Sequence, residues 1–500
     1  MYINFETFGT PPVPKGNSGI VAIPITADWG PVREFVLLDS DVQFQEVYGP
    51  NAAYKSYLVQ EAFRGGALQV LAYRMHDEVD LDTNPGKATL TLDDADGPVI
   101  NLTAKYAGTR ADNFNVTVRR NPIDTLRADI FIYEGDELRE KFTDIGEVVG
   151  AQQHHLHTAV IAAINDPRGG SKLVTAELDA GFVPPLPAAS NARLLAVTNV
   201  PMAGGVDGVD VNGNVPVSHY VGDPLTGFVG ALDAFEFQGG YDVFTLPDIV
   251  DTTLITAVIE WTIDQNERGN YVMTVIGGDT GDTLDQAITR SETAGNEFIV
   301  NVGITSLRVT SADGTVTVRR PAAMTARVAG MIADAGIGKA ITFGHVSSPD
   351  STVEVAAPMA AADIEEAITS GVVVFTKRGG NVVVEDGITT FTDYTIEKDV
   401  TFGTIKSVRT MQQIARDFND IIEGSYIGQV NNTAIVRSSL LTVVADYLQG
   451  LEATDVLIPG SQVLLDESYD NTGNDIHLLL IVQFGRELKR VLIKLRAPTI

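Results

Sequence analysis

Between residues 241 and 376, short apolar runs alternate with stretches that carry helical spacing. YDVFTL (241–246) reads as a strand, and Asp251 can cap a helix running to about Asn266. YVMTVIGG (271–278) is the next strand, Asp282 to Thr293 a helix, and EFIVNVG (297–303) a strand. A hairpin follows through Asp313-Gly314, and Pro321 suits the first turn of a helix reaching about Ala335. Lys339 to Phe343 is predicted as a strand, Ala361 to Thr369 as a helix and Gly371 to Thr376 as a strand. Strands this apolar leave little face for solvent. Separated by helices, they predict a mostly parallel central sheet with helices on both faces, the α/β class.

The flanking segments extend this plan. Ile20 to Thr26 is a short strand ending near Trp29-Gly30-Pro31. Asn51 to Arg64 has apolar residues three or four apart, Gly65-Gly66 stops that helix, and Leu68 to Tyr73 is a strand. Residues 75–86 are polar, and 87–145 are β-rich, with KATLTL, VINLTAKYAG, FNVTVRR and ADIFIYEG as strands and Gly135-Asp136 as a hairpin turn. Asp144 to Asn165 reads as helix or loop, and 181–216 is rich in proline and glycine. Two helices are expected at Val400–Gly424 and Asn432–Leu448, then an apolar strand at Ile476–Phe484 and a strand at 488–496. The expected parts are an extended N-terminal arm (1–19), an N-terminal α/β part of the core (20–79) and an inserted β-rich outer domain (80–185). They continue as a central α/β domain (186–390), an α+β C-terminal domain (391–485) and a basic C-terminal arm strand (486–500).

Composition narrows the function. Asp and Glu number 65 against 35 Lys and Arg, a formal net charge of -30, which makes nucleic acid and anionic membrane poor partners for the body. The absence of cysteine excludes disulfides, thiolate metal sites and thiol catalysis. No apolar run is long enough to span a bilayer, and the N-terminus lacks the basic start and apolar stretch of a signal peptide.

Catalytic and cofactor patterns fail. Gly336-Ile337-Gly338-Lys339 is the nearest fragment to a dinucleotide loop, but it follows a helix instead of opening one. Walker A spacing and Gly-x-Ser-x-Gly are missing. His154, His155 and His157 cluster without the converging partners a zinc site needs, so ordinary surface or helix-end histidines are the better reading. Asp80, Asp82 and Asn84 begin like a calcium loop, but the glycine comes one place late at Gly86 and Thr91 stands where the bidentate Glu should be. Asp207, Asp210, Asn212 and Asn214 form a second polar loop without that spacing. His219, His345 and His477 are isolated in sequence. No catalytic residue, cofactor or metal is expected.

The two ends carry the stronger signal. Pro11, Pro12 and Pro14 stiffen an arm whose aromatics Tyr2, Phe5 and Phe8 need a surface to cover them, either a neighbour's or the chain's own core. From Gly485 to Ile500 there are five basic residues, Arg486, Lys489, Arg490, Lys494 and Arg496, against the single acid Glu487. A basic strand there could extend a sheet in an acidic neighbour, or complete a hairpin at home with its cations in water.

The chain resembles the contractile tail sheath proteins of myophages and phage-like particles. The likeness rests on Gly19 and Trp29-Gly30-Pro31, Phe63-Arg64-Gly65-Gly66, YAGTRADNFNVTV (106–118) and GGVDG (204–208). It is strongest in VEDGITTFTDYT (384–395) and FGTIKSVRTMQQIARDFNDIIEGSYIGQVNN (402–432). That stretch resembles an Asp-Gly-Ile-x-Thr turn followed by helices around Tyr-Ile-Gly-x-x-x-Asn, with Gln412 where relatives often carry Asp. The resemblance implies a structural subunit, not an enzyme, that stacks as hexameric rings around a tail tube and contracts to drive the tube through the host envelope. It implies strand exchange with other copies through the arms, with Tyr2, Phe5, Phe8, Arg486, Lys489, Arg490, Lys494 and Arg496 as interaction residues. The implied partners are the tube, baseplate and tail terminator proteins, with no direct nucleic acid and no membrane insertion. The implied place is the virion tail sheath, assembled in host cytoplasm. The alternatives are a hydrolase-like α/β enzyme, and a baseplate or adhesion module using the β insertion.

Overall fold

Every residue of the strand β1 (Ile20–Ile25) is buried, and its side chains alternate between two cores. Val21, Ile23 and Ile25 face one core, and Ile20 and Ala22 the other. A strand apolar on both faces has to be covered on both. The computed structural model describes residues 19–50, 53–77, 86–95, 97–124, 127–146, 156–182, 194–246, 248–396, 398–487 and 489.

Around β1 the chain adds β2 (Phe35–Leu38), α1 (Asp41–Tyr48), α2 (Tyr57–Gly65) and β3 (Gln69–Arg74). Beyond the insertion come α3 (Ala231–Gln238), β4 (Val243–Thr245), α4 (Thr252–Glu267), β5 (Met273–Gly277), α5 (Leu284–Ala294) and β6 (Ile299–Val302). Then follow α6 (Pro321–Ala335), α7 (Ala361–Thr369) and β7 (Val372–Val373). The seven-stranded sheet runs β7-β6-β5-β4-β1-β3-β2. All neighbours are parallel except β2 and β3. Helices α1, α2 and α6 cover one face, and α3 and α4 the other. Asp251 caps α4 by accepting from the Leu254 N–H, and Thr283 and Gln286 form a reciprocal capping box on α5.

The β-rich insertion holds two small sheets. Strands 89–93, 98–104 and 174–178 form one, and strands 114–120, 128–134, 137–145 and 197–201 the other. Trp29 is inserted into this unit's core, edge-on to Tyr106 and Phe114 at 5.2 and 5.3 Å between ring centres. The strand 197–201 lies beyond residue 185, where the sequence placed the end of the insertion.

Several local expectations are corrected. Residues 339–343 form a turn, not a strand, because their backbone wraps the end of a hairpin: the Phe343 N–H donates to the Val384 carbonyl. The helix expected from Asn51 begins at Tyr57, after a turn in which Tyr54 has a positive φ. The run 371–376 divides into β7 and β8 (Phe375–Arg378), and β8 leaves the main sheet to pair with β9 (Asn381–Val384). Periodicity also missed β2, α1 and the strand Ser351–Val355, all short elements set by neighbours.

The C-terminal part consists of α8 (Ile405–Ser425), α9 (Ala434–Ala453) and a two-stranded ladder of β10 (Gln462–Leu465) and β11 (Leu478–Ile481). Among the described residues, no helix is long and apolar enough to cross a membrane.

Candidate assembly surface

In an open parallel sheet the usual ligand crevice lies at the carboxyl ends of the strands where the order reverses, here beyond β1 and β4. That place is filled by the chain itself. The Thr26 hydroxyl donates to the Gly213 carbonyl at 2.8 Å, and Lys55 Nζ donates to Asn214 Oδ1 at 2.6 Å. Burial pushes the Lys55 ammonium down to about 8. Beside it, Arg320 bridges Asp248 and Asp279.

The polar loops are likewise occupied internally. Asp207 accepts from the Tyr54 hydroxyl and from the N–H and hydroxyl of Thr109, tying the insertion to the core. Asp210 accepts from the Asn212 and Asn214 N–H groups. His157 is buried 3.6 Å from Asp94, and burial holds its pKa below the usual range; His154 and His155 lie outside the described residues. Asp80, Asp82 and Asn84 also lie outside them. His219 is buried beside Asp77, His345 bridges to Val383, and His477 stacks on Tyr469. Among the described residues, no three His, Asp or Glu groups converge as a metal site.

The sequence around α8 instead builds a joint. Its first half is buried against the core, where Arg409 donates to the Ile332 and Gly336 carbonyls, and burial pushes its guanidinium down to about 10. Gln412 donates to Asn266 Oδ1 at 2.8 Å and to the Val272 carbonyl at 3.1 Å. Arg416 pairs with Asp242, and Asp242 also accepts from the Gly19 N–H at 2.6 Å, at the root of the N-terminal arm. In the preceding turn, Thr390 bonds both the N–H and the carbonyl of Asn296, and the Gly387 N–H donates to Thr342.

The second half of α8 leaves the body and packs on α9. The Tyr447 hydroxyl donates to Asp417 at 2.6 Å, and burial raises both groups. Asn432 donates to the Asn471 and Gly473 carbonyls, clamping the turn between the two helices to the loop before β11. Val463, Leu465, Leu478 and Leu480 pack toward the helices or lie half-buried, whereas Leu464, Leu479 and Ile481 on the opposite face are 46, 45 and 49 % exposed. β10 and β11 pair with each other alone among the described strands, so their outer edges carry N–H and C=O groups with no ladder partner.

Of the residues expected to contact other subunits, Tyr2, Phe5, Phe8, Arg490, Lys494 and Arg496 lie outside the described residues. Arg486 and Lys489 lie on their own subunit. Arg486 is 3.5 Å from Asp399 and 3.3 Å from the Thr401 hydroxyl. Lys489 Nζ is 2.7 and 2.8 Å from the two oxygens of Asp386. Sequence reasoning singled out the Asp386 turn as a motif but missed its cation partner, and it missed β10 altogether, four residues too short to signal themselves.

Two family models match this chain. The central domain of phage tail sheath proteins matches residues 218–390, and the N-terminal region of domain III of the tail sheath protein Gp18 matches residues 18–75. The fold is that of the sheath tail protein from Desulfitobacterium hafniense, with a TM-score of 0.68 at 18% identity over 97% of this chain and 100% of that one. The chain is thus a structural subunit of the phage-like contractile tail sheath class. Among curated relatives it is 24% identical to YqbK of Bacillus subtilis strain 168, over 90% of this chain and 87% of that protein. It is also 24% identical to the phage-like element PBSX protein XkdK of the same strain, over 83% of this chain and 78% of that protein. Its place is the tail sheath of the particle.

Proposed function

We propose that this subunit polymerises as stacked hexameric rings around a tail tube. Segments 1–19 and 486–500 lend strands to sheets in adjacent copies, and contraction of the assembly drives the tube through the host envelope. The β-rich insertion stands on the outside, the baseplate and a tail terminator close the two ends, and assembly takes place in the host cytoplasm.

The observation that carries this reading is the β10–β11 ladder. Two strands of four residues, packed on the helices by one face, form a minimal sheet that a further strand would extend. Among the described strands both outer edges are open, and one face exposes Leu464, Leu479 and Ile481. An extended segment from another copy would satisfy the edge groups through main-chain hydrogen bonds, which depend little on side-chain identity and so can survive repacking of the subunit surfaces. Removing residues 1–19, or 486–500, should leave a folded monomer that forms no tubes by negative-stain imaging. Tubes of normal diameter from either truncation would refute strand exchange.

A further inference from the structure

We propose that the groove between α7 and β8 is a docking site, within the same subunit, for the segment beyond Lys489, and that the free chain stores its C-terminal arm there until a neighbour takes it. The release step rests on the strand-exchange reading above; the docking itself does not.

The groove encloses about 710 Å³, and Lys489 already lines it. One wall is helix α7, with Ile364, Glu365 and Ile368 turned toward the groove; the other is Thr376–Arg378 of β8, with Phe343 and Asp386 at its margin. β8 pairs with β9 on one side and has no second ladder partner among the described strands. The site therefore combines apolar side chains, a rim of mixed charge in which Glu365, Glu385 and Asp386 stand beside Lys377 and Arg378, and a strand edge with no second ladder partner among the described strands.

Lys489 sets the register for residues 490–495. Its ammonium contacts both oxygens of Asp386 and lies 3.4 Å from Glu487. Asp386 is itself held by the Thr342 hydroxyl at 3.2 Å. In an extended chain, alternate side chains share a face. With Lys489 facing the groove, Val491, Ile493 and Leu495 come next on the same face, toward Phe343, Ile364 and Ile368. Arg490, Lys494 and Arg496 fall on the opposite face and can reach outward to the rim, where Glu365 is exposed. Helix α7 has nine residues and is about 14 Å long, a span that four or five extended residues match. The Lys489–Asp386 anchor, the apolar pattern and the length thus agree on one occupant, residues 490–495 of the same chain.

The chain contains no cysteine, so introduced thiols report only on each other. The full chain would carry Ile364→Cys or Ile368→Cys together with Val491→Cys or Ile493→Cys, and be oxidised as a dilute monomer. A rim pair, Glu365→Cys with Lys494→Cys, repeats the test without touching an apolar side chain. A control pairs Ile435→Cys, on exposed α9, with Ile493→Cys. We expect a disulfide within one chain at a groove pair at least tenfold faster than in the control, and no tubes from the locked chain until reductant is added. Crosslinks no faster than the control, or formed only between chains, would overturn cis docking. If the 486–500 truncation still abolishes tubes in that case, strand exchange stands and only the stored arm falls.

Discussion

Asp28 sits just past the end of β1, at the seam between the core and the insertion, where Asp207 adds a second carboxylate. Burial first, and the charge of Asp207 second, push the Asp28 carboxyl up to about 6. Its Oδ1 is buried without a hydrogen-bond partner. A carboxyl whose pKa is raised by folding favours the folded state below its unfolded value, and that contribution is lost as pH rises from about 4 to about 6. Asp28→Asn should therefore be more stable than the native chain at pH 7, and the difference should vanish near pH 4. Thermal melting across that range checks it, and parallel curves for the two proteins would refute it. Arg74 completes the seam. It is fully buried, donates to the Gly30 carbonyl at 2.7 Å and to the Ala107 carbonyl at 2.9 Å, and is pushed down to about 10 by burial. The Trp-Gly-Pro signature is thus held from below by a core arginine. A second buried cation, Arg327, pairs with Glu61 at 2.6 Å with both side chains fully buried. Removing one partner of such a pair typically costs about 3–5 kcal/mol, because the other charge is left in apolar surroundings.

At the scale of elements, α2 and α6 cross closely. A Cβ at Gly65 would stand 2.1 Å from the Arg327 carbonyl oxygen, and one at Gly330 would stand 2.1 Å from the Ala62 oxygen. The double glycine that reads in sequence as a helix stop serves two ends: Gly66 closes α2 in the left-handed region, and Gly65 lets α6 approach. The β10–β11 ladder is the opposite case, an element with no further strand partner among the described residues. Leu479→Lys with Ile481→Lys changes only its exposed face, so folding stability should move by no more than about 0.5 kcal/mol. We expect melting within a few degrees of the native chain together with loss of tubes in imaging. Normal tubes from the double variant would remove this face from the assembly surface.

For the whole molecule, electrostatics dominates. Copies that each carry -30 repel one another, while the stretch from Gly485 to Ile500 holds five cations and one acid. Contacts between basic arms and acidic bodies are screened over roughly 8–10 Å at ordinary ionic strength. Assembly by the native chain should weaken as salt is raised. A chain with Lys489, Arg490, Lys494 and Arg496 replaced by Gln should assemble with a shallower salt dependence, measured by light scattering across a salt series. The same slope for both would show that these four residues do not set it. In the single subunit, Arg486 and Lys489 are already held by Asp399 and Asp386, so under the proposed strand exchange part of this attraction would be exchanged rather than created.

The apolar runs at 20–25, 243–245, 273–277 and 299–302 reveal a buried parallel sheet by themselves, because side chains apolar on both faces leave no other stable arrangement. Caps such as Asp251 and the first-turn Pro321 mark helix starts for an equally local reason: each acts on backbone groups within its own turn. The family motifs were legible as motifs, but their work was not. Arg409, Gln412 and Asp386 act on carbonyl, amide and ammonium groups that lie 73 to 146 positions away in the chain. Pairing over such separations depends on how the sheet and helices stack, and no local pattern encodes it. The edges that β8, β10 and β11 leave open among the described strands are likewise tertiary facts, since an edge exists only once the other strands have taken their places.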